Sequence, residues 1–381
     1  MDAYVLRSKP TLFRKVRKLV RSPGAFFRDY LNKKYPEVYN EIKCPREEEA
    51  ILLRHDLALE SQIIVDDPID VVFTWVDDHD EIWQKKYLKY KNNNVKSHGQ
   101  YASDSARFSN HNELYYAIKG VVENLPWVRF IYVVTDGQKP EWIMEYPNVI
   151  IVDHAEIIPS EYLPTFNSHV IEAHLHRIPG LAEHFIYLND DVFVARPLPA
   201  GHFFKGKGVT SLFISRKSLH EMQGRSIQTP TLNASVKVRE LFNRDYGVVI
   251  DTPLVHTYVP LRKSMFEAVW CKYRYEVLSF LPNKFRTNSD LNLATFMVPW
   301  YTFMNGSAVP ARDICYYFNI RSPMAKTHYR LLQSAKYTDG CPHSFCANDF
   351  TSTQKSIEGY QQSLITMLNR YFDTGGVEIN N

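Results

Sequence analysis

Two adjacent carboxylates, Asp190 and Asp191, preceded by Asn189, interrupt an otherwise apolar run, with HFIYL before them and VFV after. Neighbouring carboxylates repel, and holding both at the end of a buried strand is unfavourable unless a positive partner offsets the charge. Such a pair suits a hard cation, because Mg²⁺ and Mn²⁺ prefer oxygen donors and commonly share them with substrate phosphates. Two more apolar runs end in the same way, one in Asp77-Asp78 and one in Thr135-Asp136-Gly137. Asp, Asn and Gly are ordinary turn formers, but aspartates at three strand ends together describe the rim of one acidic pocket. Neither GxGxxG nor GxxxxGK[ST] occurs, which weakens dinucleotide and P-loop readings and favours a site for a nucleotide-sugar diphosphate.

The elements that must position these groups alternate in type. Residues 70–76, 129–134, 148–152 and 184–188 read as strands and 112–125 as a helix. Strands separated by helical stretches predict an α/β fold, a mainly parallel sheet flanked by helices, whose ligands sit beyond the carboxyl ends of the strands. Beyond residue 205 the strand signal fades, and 236–243, 263–281 and 356–372 look helical. This half is expected to form a mostly helical C-terminal layer across the ligand edge, supplying His256, Arg262, Arg274, Lys284 and Arg286. Glu172 and His176 stand four apart, the spacing of a pair on one helix face.

Of the 381 residues, 45% are hydrophobic and 23% charged, enough for a sizeable core. A net charge of +3 argues against a nucleic-acid binder that neutralises many phosphates. The five cysteines, 44, 271, 315, 341 and 346, are scattered and odd in number, and no secretory leader pattern follows the first methionine, so the reading is a reducing, cytoplasmic compartment. Cys341, His343 and Cys346 resemble half a zinc site, but no second ligand pair has suitable spacing, and a structural zinc is not expected. No apolar run is long enough to span a membrane. Residues 1–36 carry ten Lys/Arg against two acids, with Leu12, Phe13, Val16, Leu19 and Val20 at helical spacing. Such a basic amphipathic segment suits an anionic membrane surface or an acidic partner. This basic amphipathic N-terminal segment is assigned residues 1–68.

Several segments together resemble the blocks of the Stealth family, whose members include bacterial capsular polysaccharide phosphotransferases and the lysosomal-enzyme N-acetylglucosamine-1-phosphotransferase. The first is IDVVFTWVDD at 69–78. The second comprises RFSNHNEL at 107–114, IYVVTDGQ at 131–138, LPTFNS at 163–168, EAHLHRIPG at 172–180 and FIYLNDD at 185–191. The third runs from His256 through Phe285-Arg286 to Asp290, and the fourth is FCAND at 345–349.

The resemblance implies a catalytic domain over residues 69–375, with a glycosyltransferase-A-like fold, and transfer of a hexose- or N-acetylhexosamine-1-phosphate. The donor would be a UDP-sugar, the acceptor an oligosaccharide or capsule-polymer hydroxyl, and the products a phosphodiester and UMP. It implies Mg²⁺ or Mn²⁺ on Asp190 and Asp191, with Asn189 orienting them. Glu172 would handle metal or acceptor, His256 would be the base, and the guanidinium of Arg286 would grip phosphate oxygens. Trp75, Val76, Asp77, Asp136 and Gly137 would face the donor nucleotide. Pro260 follows His256 by four residues where the family often has proline two residues after, and Asn348 and Asp349 receive no role. Capsule assembly also implies a peripheral contact with the inner membrane or export machinery. The alternative is an ordinary metal-dependent glycosyltransferase using the same carboxylates and releasing UDP.

Overall fold

A computed structural model of the chain describes residues 12–21, 23, 24, 26, 27, 46–93, 108–224, 229–350 and 356–373. Two compact units are distinguished, Met1–Tyr39 and Asn40–Asn381. In the first, Leu12–Arg21 forms a helix of sequence LFRKVRKLVR, and its Val16 and Val20 are exposed. Among the described residues no helix is long and apolar enough to cross a membrane.

The second unit is built on a five-stranded sheet of order β3-β2-β1-β4-β8: Val149–Asp153, Ile131–Thr135, Ile69–Thr74, His184–Asn189 and Val259–Arg262. The first four strands are mutually parallel, and β8 runs antiparallel along the β4 edge. The apolar runs in β1, β2 and β4 are buried along nearly their whole length, as a parallel sheet covered on both faces requires. At the amino ends Asp70 is fully buried and accepts from Arg129 Nε at 2.9 Å and Nη2 at 2.7 Å, and from the Ala182 amide at 2.7 Å. That end is a structural clamp and leaves the carboxyl ends for ligands.

Helices dominate the C-terminal half, but it also carries two three-stranded sheets that sequence periodicity did not announce. One has order β10-β11-β5, Cys315–Asn319, Ser344–Asn348 and Val192–Val194. The other has order β6-β7-β9, Phe204–Lys205, Val209–Phe213 and Ala308–Ala311. These strands run to five residues or fewer, too short for an alternating pattern to stand out.

The helix Arg46–Glu60, which composition places with the N-terminal segment, is tied into the second unit. Glu49 Oε1 accepts from Tyr316 at 2.9 Å, Asp56 pairs with Arg312 at 3.0 Å, and Glu60 Oε2 lies 2.8 Å from His202 Nδ1. The helix Glu113–Asn124 packs so closely on β5 that a Cβ at Gly120 would lie 3.2 Å from the Val194 carbonyl and 3.1 Å from Phe372. This close approach sets where the first residue of that helix, Glu113, stands.

Candidate active site

In a sheet of order 3-2-1-4 the chain reverses direction across the sheet between β1 and β4, and the crevice beyond their carboxyl ends is where ligands of such sheets bind. Thr74 and Asn189 are partners in that register, so Trp75-Val76-Asp77 and Asn189-Asp190-Asp191 leave the sheet side by side. The two aspartates bridge β4 and β5, the seam where the five-stranded sheet meets the sheet containing β11. Tyr187 donates to Asn189 Oδ1 at 3.0 Å and touches Thr74 Oγ1 at 2.9 Å, which fixes the asparagine at the mouth of the crevice.

The seam is acidic beyond the two aspartates. Burial raises the Asp190 pKa well above the usual carboxylate range, and the charges of Glu113 and Asp191 add to this. Burial likewise pushes Glu113 up to about 7, with His111 and backbone N–H bonds pulling the other way and Asp191 adding to the rise. Asp191 Oδ2 accepts from Cys346 Sγ at 3.3 Å and Asn348 Nδ2 at 3.2 Å, while its Oδ1 is buried with no hydrogen-bond partner. Two adjacent carboxylates whose charges act on one another, one of them with a buried, unpartnered oxygen, are a donor set suited to a hard divalent cation. On that test Asp190 and Asp191 fit a hard divalent cation such as Mg²⁺ or Mn²⁺, and Glu113 bears on Asp190 through its charge.

Next to the acids stands a charged relay. His111 Nε2 lies 3.0 Å from Asp349 Oδ2, and Arg321 grips the same carboxylate. Burial works against a charged His111 ring, but the Asp349 hydrogen bond and the charges of Glu113, Asp349 and Asp78 outweigh it, and its pKa is raised. The fourth block thereby acquires a physical account: Cys346 and Asn348 hold Asp191, and Asp349 holds His111.

His256 reaches the seam because β8 runs antiparallel to β4. Val259 opposes Tyr187, so the residues before β8 run back past Asn189 towards Asp191. Pro260 lies opposite Ile186 on the edge strand, a place where a missing N–H is tolerated. The exposed His256 ring packs edge-on against Tyr317, with centroids 5.4 Å apart, and its backbone carbonyl accepts from Cys315 Sγ at 3.3 Å. Ligating atoms of Asp191, His256 and Cys346 all lie within 4.8 Å of one another. A cavity of about 170 Å³ opens beside them, lined in part by Asn189, His256, Thr231, Asn292 and Phe296.

Arg286 is joined to the cavity wall through Thr231. Its Nη1 donates to Thr231 Oγ1 at 3.1 Å and its Nη2 to Ser168 Oγ, so hydroxyls rather than a carboxylate hold the guanidinium among the described residues. Its loop is tied down by buried Asp290, which accepts from Asn167 Nδ2 at 2.9 Å, the Thr287 amide at 3.0 Å and Asn283 Nδ2 at 2.8 Å. Phe285 stacks on Phe166 at 5.3 Å. Glu172 is buried, and its charge acts on Tyr187 and His169.

The remaining expected residues are engaged as follows. The helix holding Glu172 ends at that residue, so His176 is not its partner on a helix face; it stacks on Phe266 at 5.5 Å, and burial lowers its pKa to about 3. Asp136 is held by Lys86 at 2.9 Å, and Gly137 turns the chain with φ 70°. Asp77 Oδ1 accepts from the His79 amide at 3.0 Å and Asn110 Nδ2 at 3.1 Å. Trp75 is largely buried, with its Nε1 unpartnered. Of the five basic groups expected at the ligand edge, Arg262 pairs with Glu183 at the opposite end of β4, and Lys284 donates to the Tyr162 and Leu163 carbonyls. Glu113 was missed because an acid in a first helical turn is ordinary capping chemistry.

Two family models match the chain: Stealth protein conserved region 2 over residues 107–212 and Stealth protein conserved region 1 over residues 67–95. The capsular polysaccharide phosphotransferase LcbA of Aeromonas hydrophila is 58% identical over 94% of this chain and 99% of its own length. LcbA of Neisseria meningitidis is 53% identical over 94% and 99%. The exopolysaccharide phosphotransferase of Streptomyces coelicolor is 33% identical over 80% of this chain and 51% of its own. Among solved structures, the galactosyltransferase LgtC in complex with donor and acceptor sugar analogues has 12% identity and a TM-score of 0.35, over 81% of this chain and 97% of that chain. Mouse xyloside xylosyltransferase 1 has 9% identity and a TM-score of 0.36, over 74% and 98%.

Proposed function

The chain belongs to the Stealth family of capsular polysaccharide phosphotransferases, and on that premise we propose that it moves a hexose- or N-acetylhexosamine-1-phosphate from a UDP-sugar to a hydroxyl of an oligosaccharide or capsule-polymer acceptor. The acceptor oxygen bonds to the phosphorus that carries the sugar, the bond from that phosphorus to the UMP oxygen breaks, and the hydroxyl proton passes to His256. The products are a phosphodiester and UMP. The observation that carries the reading is the meeting of His256 with Asp191 at the carboxyl end of β4, because it sets a proton acceptor beside the group that would hold the diphosphate.

Phosphoryl transfer asks mainly for positioning and for neutralisation of charge on the phosphoryl oxygens. A divalent cation, Mg²⁺ or Mn²⁺, on Asp190 and Asp191 would supply that neutralisation when bound. Arg286, on a loop anchored through Asp290, offers a planar fork that can exchange its two hydroxyl partners for two phosphate oxygens. Asn189, Trp75, Val76 and Asp77 flank the crevice on the donor side, and Glu172 stands behind Tyr187 for metal or acceptor handling. Asp136 and Gly137 would meet the nucleotide through their loop, since Lys86 already holds the Asp136 carboxylate.

A panel of UDP-sugars with an oligosaccharide acceptor and Mg²⁺ or Mn²⁺ tests the bond that is made. UMP release with phosphorus retained in the product supports the reading, whereas UDP release marks glycosyl transfer and overturns it. The basic helix Leu12–Arg21, with its exposed valines, supports a peripheral contact with an anionic inner-membrane surface.

A further inference from the structure

Among the described residues three groupings could hold a metal through nitrogen, sulfur or carboxylate atoms, and they differ in what their atoms already do. In the buried set His202, Asp313 and His343, both His202 nitrogens have partners, Asp313 accepts from Tyr258 and Ser344, and His343 Nδ1 accepts from the Ile314 amide. Only His343 Nε2 is left unpartnered there, and both Asp313 oxygens are taken, so no carboxylate oxygen remains for a cation. Asp77, Asp78 and His79 form an exposed turn with its own internal bonds. The third set, Asp191, His256 and Cys346, is open on one side, because Asp191 Oδ1 is buried without a partner.

This third set comes from three separately anchored segments. Asp191 leaves β4, Cys346 sits opposite Val192 in the β11–β5 register, and the His256 backbone is held by Cys315 Sγ. Cys346 Sγ already donates to Asp191 Oδ2 at 3.3 Å, and the ligating atoms lie within 4.8 Å of one another. Tetrahedral zinc, with bonds of about 2.0–2.3 Å, needs ligands about 3.5 Å apart, so a contraction of roughly 1 Å completes the site. Thiolate, imidazole and a carboxylate oxygen form a donor set that prefers Zn²⁺ or Cd²⁺ to Mg²⁺.

We propose that Asp191, His256 and Cys346 form a capture site for soft divalent cations of the Zn²⁺ class, and that occupancy of this site arrests phosphoryl transfer. The hard cation of the reaction uses the oxygen side of the seam, Asp190 and Asp191. A soft cation draws Asp191 towards Cys346 and takes the imidazole lone pair of His256 that would accept the acceptor's proton. The thiol proton leaves to solvent as the metal–sulfur bond forms. The arrest rests on His256 being the base, whereas the capture does not.

The test uses the full chain, kept reduced, in a Cys44→Ser, Cys271→Ser background that removes the thiol exposed among the described residues and the one outside them. Co²⁺ or Cd²⁺ is titrated without donor or acceptor, and thiolate-to-metal charge-transfer absorption is followed. One equivalent should produce the band. Cys346→Ser should abolish it, and His256→Ala should weaken binding by about tenfold or more. Zn²⁺ should then inhibit Mg²⁺-supported turnover with the same midpoint, and Cys346→Ser should be at least about tenfold less sensitive relative to its own uninhibited rate. Absence of the band in the parent protein, or its persistence in Cys346→Ser, overturns the capture site. Stoichiometric binding with undiminished turnover overturns the arrest. Because the band is read without substrate, UDP rather than UMP release would remove the phosphotransfer reading and leave the capture site standing.

Discussion

At the scale of single residues, the seam is a place where charge is held against its preference. Glu113 has an ordinary carboxyl value of 4.5 and is pushed by burial to about 7. Between those values the unfolded chain has released this proton and the folded chain retains it, so cation-free stability falls as pH rises through that window. The shift corresponds to on the order of 3 kcal/mol. Glu113→Gln removes the ionisation and keeps an acceptor for the His111 amide, so without divalent cation its Tm should gain on the parent's between about pH 4.5 and 7. Parallel Tm profiles would contradict this. The same acids should release protons to buffer when a divalent cation binds near neutral pH. His256→Ala should lower turnover by roughly 10²-fold or more while donor affinity changes little, the range for losing a general base; stopped-flow turnover with equilibrium donor binding separates the two quantities. The aspartates were legible in the sequence because an Asp-Asp pair inside an apolar run is physically conspicuous. Glu113 was not, since nothing in its neighbourhood of sequence marks it as buried.

At the scale of elements, the strands that were legible are those with long apolar runs, β1 to β4. The strands that build the other side of the site, β5, β8 and β11, are three to five residues long, and β8 contains Pro260. Their pairing, which brings His256 and Cys346 to Asp191, rests on register rather than on local pattern. The opposite error arose at Glu172 and His176, where four-residue spacing promised a shared face and the helix stops after five residues. Packing between elements leaves little tolerance at Gly201. A Cβ on Gly201 would lie 2.1 Å from the Glu60 carbonyl oxygen and 2.9 Å from Ile63 Cβ. Gly201→Ala must therefore push the end of the helix Arg46–Glu60 away from His202, at a cost of about 1–3 kcal/mol or more for overpacking. Denaturant unfolding should show the loss; an unchanged midpoint would mean that this helix is not held as described.

At the scale of the whole molecule, the proposal gives two charge distributions two tasks, transfer at the acidic seam of the second unit and membrane contact at the basic helix of the first. Each basic residue near an anionic membrane surface is worth about 1 kcal/mol. Replacing Arg17 and Arg21 together by glutamate should weaken co-sedimentation with anionic vesicles by about tenfold or more and leave turnover on a soluble acceptor intact. Equal binding of the parent to neutral and anionic vesicles would count against a charge-driven contact. The central claim, that this seam transfers phosphorus together with the sugar, is tested most directly by a UDP-sugar labelled at the phosphorus bonded to the sugar. The label should appear in the acceptor product as a phosphodiester, with UMP unlabelled, and this transfer should fall with His256→Ala. Label leaving with UDP would contradict the account.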